Sequence, residues 1–187
     1  MFKRIVRSWS RDRPLKIMKN IVYIKSGTEG TADLIGAVAE RVKELNIATV
    51  AVASSNGKSA VKIAETLKGM AKVMSVTEFT YSDEVKGTMK KLGVTAIERA
   101  DLPIQDRRDV REALLLFGAG VKAALEVASI AAEKEASPPS KLIAVAGGGG
   151  SLDTALVVRP ARPTDLFSAD PAKRMAVLEI VALPLSE

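Results

Sequence analysis

Six consecutive small and polar residues, Ser54-Ser55-Asn56-Gly57-Lys58-Ser59, follow an apolar run and precede a helical pattern. Their types suit the binding of a phosphate. The serines offer hydroxyl donors, Lys58 a mobile positive charge, and Gly57 lets the backbone come close to a ligand. A helix starting here adds backbone N–H groups and a partial positive charge, both favourable to an anion. The spacing is not that of a Walker A loop. An ordinary strand-to-helix turn rich in capping residues has the same composition. The phosphate reading is carried forward, and with it the expectation that a β-branched residue at Gly57 abolishes binding and spares the fold.

Other groups could share that chemistry. Gly147-Gly148-Gly149-Gly150 is followed by Ser151, Asp153 and Thr154. Four glycines cost conformational entropy, and either a close-lying ligand or a flexible hairpin accounts for them. Lys25-Ser26-Gly27-Thr28-Glu29-Gly30-Thr31 also follows a short apolar run; it completes the same pocket or simply caps a helix. Lys122 and Glu126 stand four apart in an otherwise apolar helical pattern. They either pair on the surface or place a carboxylate at a pocket floor. Arg159, before Pro160, faces a phosphate or is structural.

The chain has no cysteine and no histidine. That removes disulfides, thiolate chemistry and every Ser-His or Cys-His nucleophile pair, and it speaks against zinc. No metal site is expected, and no catalytic residue is assigned; any catalysis would lean on Lys25, Lys58, Glu126 or Tyr81. Asn and Gln are also few: Gln105 alone, with Asn20, Asn46 and Asn56. That composition faintly matches a hot habitat.

The elements that must position these groups alternate. Residues 21–24 form a short strand, and Leu34, Ile35, Val38, Val42 and Leu45 recur at helical spacing. Residues 47–53 make a continuous apolar strand of the kind buried on both faces of a parallel sheet. A second helix follows the serine-rich turn, then a strand at 71–76, a helix at 81–92 and a strand at 94–97. A helix at 106–135, broken near Gly118-Ala119-Gly120, is apolar on nearly every face in its second half and belongs against the sheet. Strands at 142–146, 154–158 and 175–182 close the chain. The pattern predicts a three-layer α/β/α fold, mostly parallel, with an antiparallel edge where no helix separates the closing strands.

With 187 residues, 47% of them hydrophobic, the chain fits one domain with a full core. Residues 18–187 are assigned to it, and residues 1–17 to a basic extension. This extension reads as a disordered arm, an organelle-targeting segment, or the product of a mis-assigned start before Met18. The whole net charge of +6 resides in residues 1–20, which carry seven bases and one acid. The rest is balanced, so only the extension supports a nucleic-acid partner. The apolar stretch 113–132 is interrupted by Lys122 and Glu126, which argues against a membrane span. A cytoplasmic protein is expected.

The chain resembles the stand-alone relatives of the pyruvate kinase C-terminal domain, found chiefly in archaea. The resemblance runs from Lys19 to about Pro184 and is carried by Ile21-Val22-Tyr23, by residues 39–45, by Val52–Ala60, by Leu116–Lys122 and by Asp153–Ala161. It implies the same α/β fold. In pyruvate kinase the loop similar to Ser54–Ala60 holds a phosphate of an allosteric sugar bisphosphate, and the stand-alone family is associated with flavin mononucleotide (FMN). The catalytic barrel of pyruvate kinase is missing, so kinase activity does not carry over. The chain departs from the family in having no histidine after the third strand and no arginine in the glycine loop.

The expected function is therefore the binding of a phosphorylated small molecule, with FMN the leading cofactor. Ser54, Ser55, Asn56, Gly57, Lys58 and Ser59 would hold the phosphate; Thr77, Gly147, Gly148, Gly149, Gly150 and Asp153 would flank the ring or sugar. Two alternatives stand beside it. One is a flavin-dependent oxidoreductase. The other is a regulatory or interaction protein that senses a sugar phosphate, with homo-oligomerisation through the long apolar helix or the last edge strand.

Overall fold

The computed structural model describes residues 21–25, 28–148 and 150–185. The extension at 1–17, Ser26, Gly27 and Gly149 lie outside the described residues.

Seven strands and five α-helices follow one another as β1 (Val22–Ile24), α1 (Thr28–Leu45), β2 (Thr49–Ala53), α2 (Lys58–Thr66), β3 (Lys72–Val76), α3 (Asp83–Lys91), β4 (Thr95–Ile97), α4 (Arg108–Leu115), α5 (Ala119–Lys134), β5 (Leu142–Ala146), β6 (Thr154–Arg159) and β7 (Ala176–Pro184). A 3₁₀ turn, Pro163–Asp165, precedes β7.

The strands form one sheet in the order β1-β7-β6-β5-β2-β3-β4. Neighbours are parallel except at β6, which runs against both β5 and β7. The antiparallel part thus lies toward one side of the sheet, where no helix separates β5 from β6. The last strand is not outermost, because β1 pairs with Ala182–Pro184 beyond it. The outermost strands are β1 and β4, three residues each.

The alternation of side chains across each strand divides the core in two. On one face Val50, Val52, Ile143, Val145, Ala155 and Val157 meet Leu34, Val38 and Val42 of α1, Ala60 and Ile63 of α2, and Met89 of α3. On the other face Ala51, Met74, Val76, Ala144, Leu156 and Val158 meet Val121, Ala124, Val127, Ala128 and Ile130 of α5. This is the three-layer arrangement that continuous apolar strands require, since both faces of the sheet must be covered.

Two helices differ from their expected bounds for local reasons. The helix expected at 81–92 begins at Asp83, because Ser82 is its N-cap and accepts from Val85 N. Tyr81, just before, is buried in the core. Asp83 and Glu84 in its first turn and Lys90 and Lys91 in its last complement the helix dipole. The helix expected at 106–135 is two helices. They part at Gly118, whose φ of 95° is open to glycine and which lies against Pro184.

Candidate functional site

The sheet reverses its winding between β2 and β5, its two central neighbours. The chain leaves β2 through α2 toward β3, and leaves β5 for β6 on the opposite side. In open α/β sheets this crevice, at the carboxyl ends of the strands, is where ligands bind. A cleft of about 230 Å³ lies there. Its walls are the turn after β2 (Ala53, Ser54, Ser55, Asn56, with Ser59 of α2), the segment after β3 (Thr77, Glu78, Phe79) and the turn after β5 (Gly147, Gly150, Ser151, Leu152). Ala123, Glu126 and Val127 of α5, with Leu102, line it from the other layer.

The structure brings seven of the sequence-assigned residues into this lining: Ser54, Ser55, Asn56, Ser59, Thr77, Gly147 and Gly150. Gly57, Lys58, Gly148 and Asp153 do not line it. Gly57 has φ 80°, and a Cβ there would stand 2.5 Å from Val85 Cγ1 and 2.6 Å from Met89 Cε. The glycine is needed where α2 packs on α3. The expectation that a β-branched residue at 57 spares the fold is therefore corrected: the side chain would enter the core. Lys58 is exposed on the first turn of α2, and its N–H is held by Asn56 Oδ1 at 3.0 Å. This turn carries no acidic residue, so no fixed negative charge opposes an anion at the helix start.

The glycine loop is built largely for itself. A Cβ on Gly147 would strike the carbonyl of Ser151, and Gly150 has φ 87°. Asp153, buried, accepts from Gly148 N at 3.2 Å and from Thr154 Oγ1 at 2.7 Å, so it shapes the loop from behind. Around Gly148 there is room, with Ala119 Cβ at 3.8 Å its nearest neighbour. None of the described residues of the segment Lys25–Thr31 lines the cleft. Its Thr31 Oγ1 accepts from Leu152 N at 3.1 Å and supports the loop from the far side. Arg159 is removed from the site by the direction of β6, which places that strand's carboxyl end at the opposite rim. Its guanidinium donates to the carbonyls of Pro171 and Arg174.

Three buried side-chain polar atoms have no hydrogen-bond partner among the described residues: Ser54 Oγ, Glu126 Oε2 and Arg159 Nε. Two of the three belong to residues lining this one cleft. Ser54 is 7% exposed and Glu126 0%. Glu126 Oε1 accepts from Ile104 N at 3.1 Å. Lys122 Nζ donates to Gln105 Oε1 at 2.6 Å and also forms an ion pair with Oε2 at 3.0 Å. Burial pushes the Glu126 carboxyl up from its ordinary value, with Lys122 and the Ile104 N–H opposing and Glu78 adding to the rise. Since an orphaned buried polar group costs about 1–3 kcal/mol, the Ser54 hydroxyl is left for a ligand to satisfy, whereas Glu126 Oε2 has Lys122 beside it.

Beneath the turn, Tyr81 Oη donates to the carbonyl of Ser54 at 3.0 Å and shares a 2.7 Å hydrogen bond with Ser75 Oγ. Burial raises its phenol pKa, while the Ser75 bond opposes. Tyr81→Phe is expected to lower stability by about 1–3 kcal/mol in urea unfolding, because both oxygens lose a buried partner. An unchanged midpoint would mean that the turn is held from elsewhere.

Glu78, Phe79, Leu102, Ala123, Val127 and Leu152 complete the lining without having been singled out in the sequence. Glu126, an acid within the apolar stretch of α5, was the one signal that this helix reaches the cleft. Among the described residues no cluster of acids suits a metal ion, and no helix is long and apolar enough to cross a membrane. No family model matches the chain.

Proposed function

We propose that the cleft binds a phosphorylated small molecule, with the phosphate at the turn between β2 and α2. The observation that carries this reading is the orphaned buried hydroxyl of Ser54, in the cleft at the winding reversal of the sheet. Ser54, Ser55 and Ser59 supply hydroxyl donors, and the start of α2 supplies backbone N–H groups and positive potential. FMN is the first ligand to test. Its phosphate suits the turn, and Phe79, 61% exposed, offers a ring face at the mouth. When bound, a flavin would supply hydride or electron transfer.

The size of the cleft favours a second candidate. Small-molecule pockets usually hold about 300–1,000 Å³. At about 230 Å³ this one encloses a sugar phosphate more readily than a whole flavin, whose ring would lie across the open mouth. A regulatory domain sensing a sugar phosphate fits that dimension.

The test is a fluorescence titration with FMN and riboflavin in parallel, for the wild type and Ser54→Ala. FMN is expected to bind at least about tenfold more tightly than riboflavin, the worth of one hydrogen bond to a charged group. Ser54→Ala should lose most of that difference and melt no lower than the wild type, since it deletes an unsatisfied hydroxyl. Equal binding of the two flavins, with inorganic phosphate failing to compete, would sink the phosphate reading.

A further inference from the structure

The described residues lining the cleft include two carboxyl groups, Glu78 and Glu126, and no Lys or Arg. A single phosphate can be held without a cation by hydroxyls and a helix start. A second one would have to lie in the remaining space, against Val76, Leu102, Ala123 and the two acids. Lys122, the cation beside Glu126, is not part of the lining and is already engaged by Gln105 Oε1 and Glu126. A second dianion would thus be desolvated beside like charge with no counter-charge.

Glu126 Oε2, in contrast, is buried, and with Lys122 Nζ at 3.0 Å it keeps capacity for a further hydrogen bond. It is satisfied by an uncharged group such as a hydroxyl, a ring N–H or a carbonyl. The carboxyl accepts when ionised and also donates when protonated, and burial favours the protonated form.

We propose that Glu126 selects the phosphate-free end of the ligand, so that the cleft takes a monophosphate with an uncharged hydrogen-bonding end and rejects a bisphosphate. This rests on the assignment of the turn before α2 as the phosphate anchor.

The experiment is calorimetric titration of the full chain with fructose 6-phosphate, fructose 1,6-bisphosphate and FMN, repeated on Glu126→Gln and Glu78→Gln. The glutamine at 126 keeps an acceptor for Ile104 N. Glu78 is exposed, so its variant serves if the first is unstable. The wild type is expected to bind the monophosphate at least about tenfold more tightly than the bisphosphate, and each variant to narrow that gap by about threefold or more. Equal binding of the two sugar phosphates, or a preference untouched by both variants, overturns the proposal and leaves the phosphate anchor standing. If FMN alone binds, an affinity unchanged in Glu126→Gln overturns it. If none of the three binds, and inorganic phosphate does not either, the anchor fails and the proposal with it.

Discussion

Gly57→Ala is expected to destabilise the chain by about 2–5 kcal/mol, which for its length corresponds to roughly 4–20 °C in Tm. Two causes add. The residue sits at φ 80°, where a side chain is strained, and the new Cβ would stand 2.5 Å from Val85 Cγ1 and 2.6 Å from Met89 Cε. Met89 is 1% exposed, so it has little room to give way. Gly69 separates the causes. It has nearly the same φ, 75°, with nothing within 4 Å of its Cβ position. Gly69→Ala should show the backbone cost alone, about 1 kcal/mol. The comparison is made by thermal and urea unfolding of both variants. Equal losses at the two positions would mean that α3 yields freely to the added methyl. Any loss of ligand affinity in Gly57→Ala must then be read against its loss of fold.

Glu126→Gln is expected to remove the loss of stability with rising pH that this carboxyl imposes. Burial raises the folded-state pKa of this carboxyl above its ordinary 4.5. A group so raised holds more protons folded than unfolded. Its contribution is fully present below pH 4.5 and lost as pH rises through the folded value. Glutamine does not titrate. The variant should therefore gain on the wild type steadily as pH rises above 4.5, with the smallest difference at or below that pH. Glu98 works in the other direction. Its pKa is lowered, first by the hydrogen bond from Tyr81 N and then by Lys86, so its contribution is lost only as pH falls below 4.5. The two effects fall in separate windows, and urea unfolding of wild type and variant between pH 4 and 8 resolves them. A constant gap across that range would show that Lys122 keeps Glu126 ionised throughout.

The layers of this fold were legible because burial leaves a periodic trace. The run at 50–53 is apolar at every position because both faces of β2 are covered, and α1 repeats its apolar residues at helical spacing. The place of β1 was not legible. It pairs with β7, more than 150 residues away, and three residues carry no record of their partner. The turn after β2 could be read as a site, because strand, polar turn and helix are consecutive. Which way each residue points could not. Gly57 and Ser54 look alike in sequence, yet Gly57 faces α3 and Ser54 the cleft. The wall made by α5 was visible only through Glu126, since a charge at 0% exposure in an apolar helix breaks its own pattern.

The lone reversed strand also sets how this cleft can change. Because β6 returns directly beside β5, the connection between Ala146 and Thr154 joins two neighbouring antiparallel strands, as in a hairpin. Lengthening such a hairpin asks little of the scaffold beneath it. The opposite wall has no such freedom, because Gly57 ties the turn after β2 to α3 and Tyr81 ties it to β3. Variation in what the cleft accepts should therefore arise by insertion in the glycine loop, with the serine-rich turn held constant. An engineer seeking to retarget the cleft would graft sequence between Gly148 and Ser151 and leave residues 54–59 untouched.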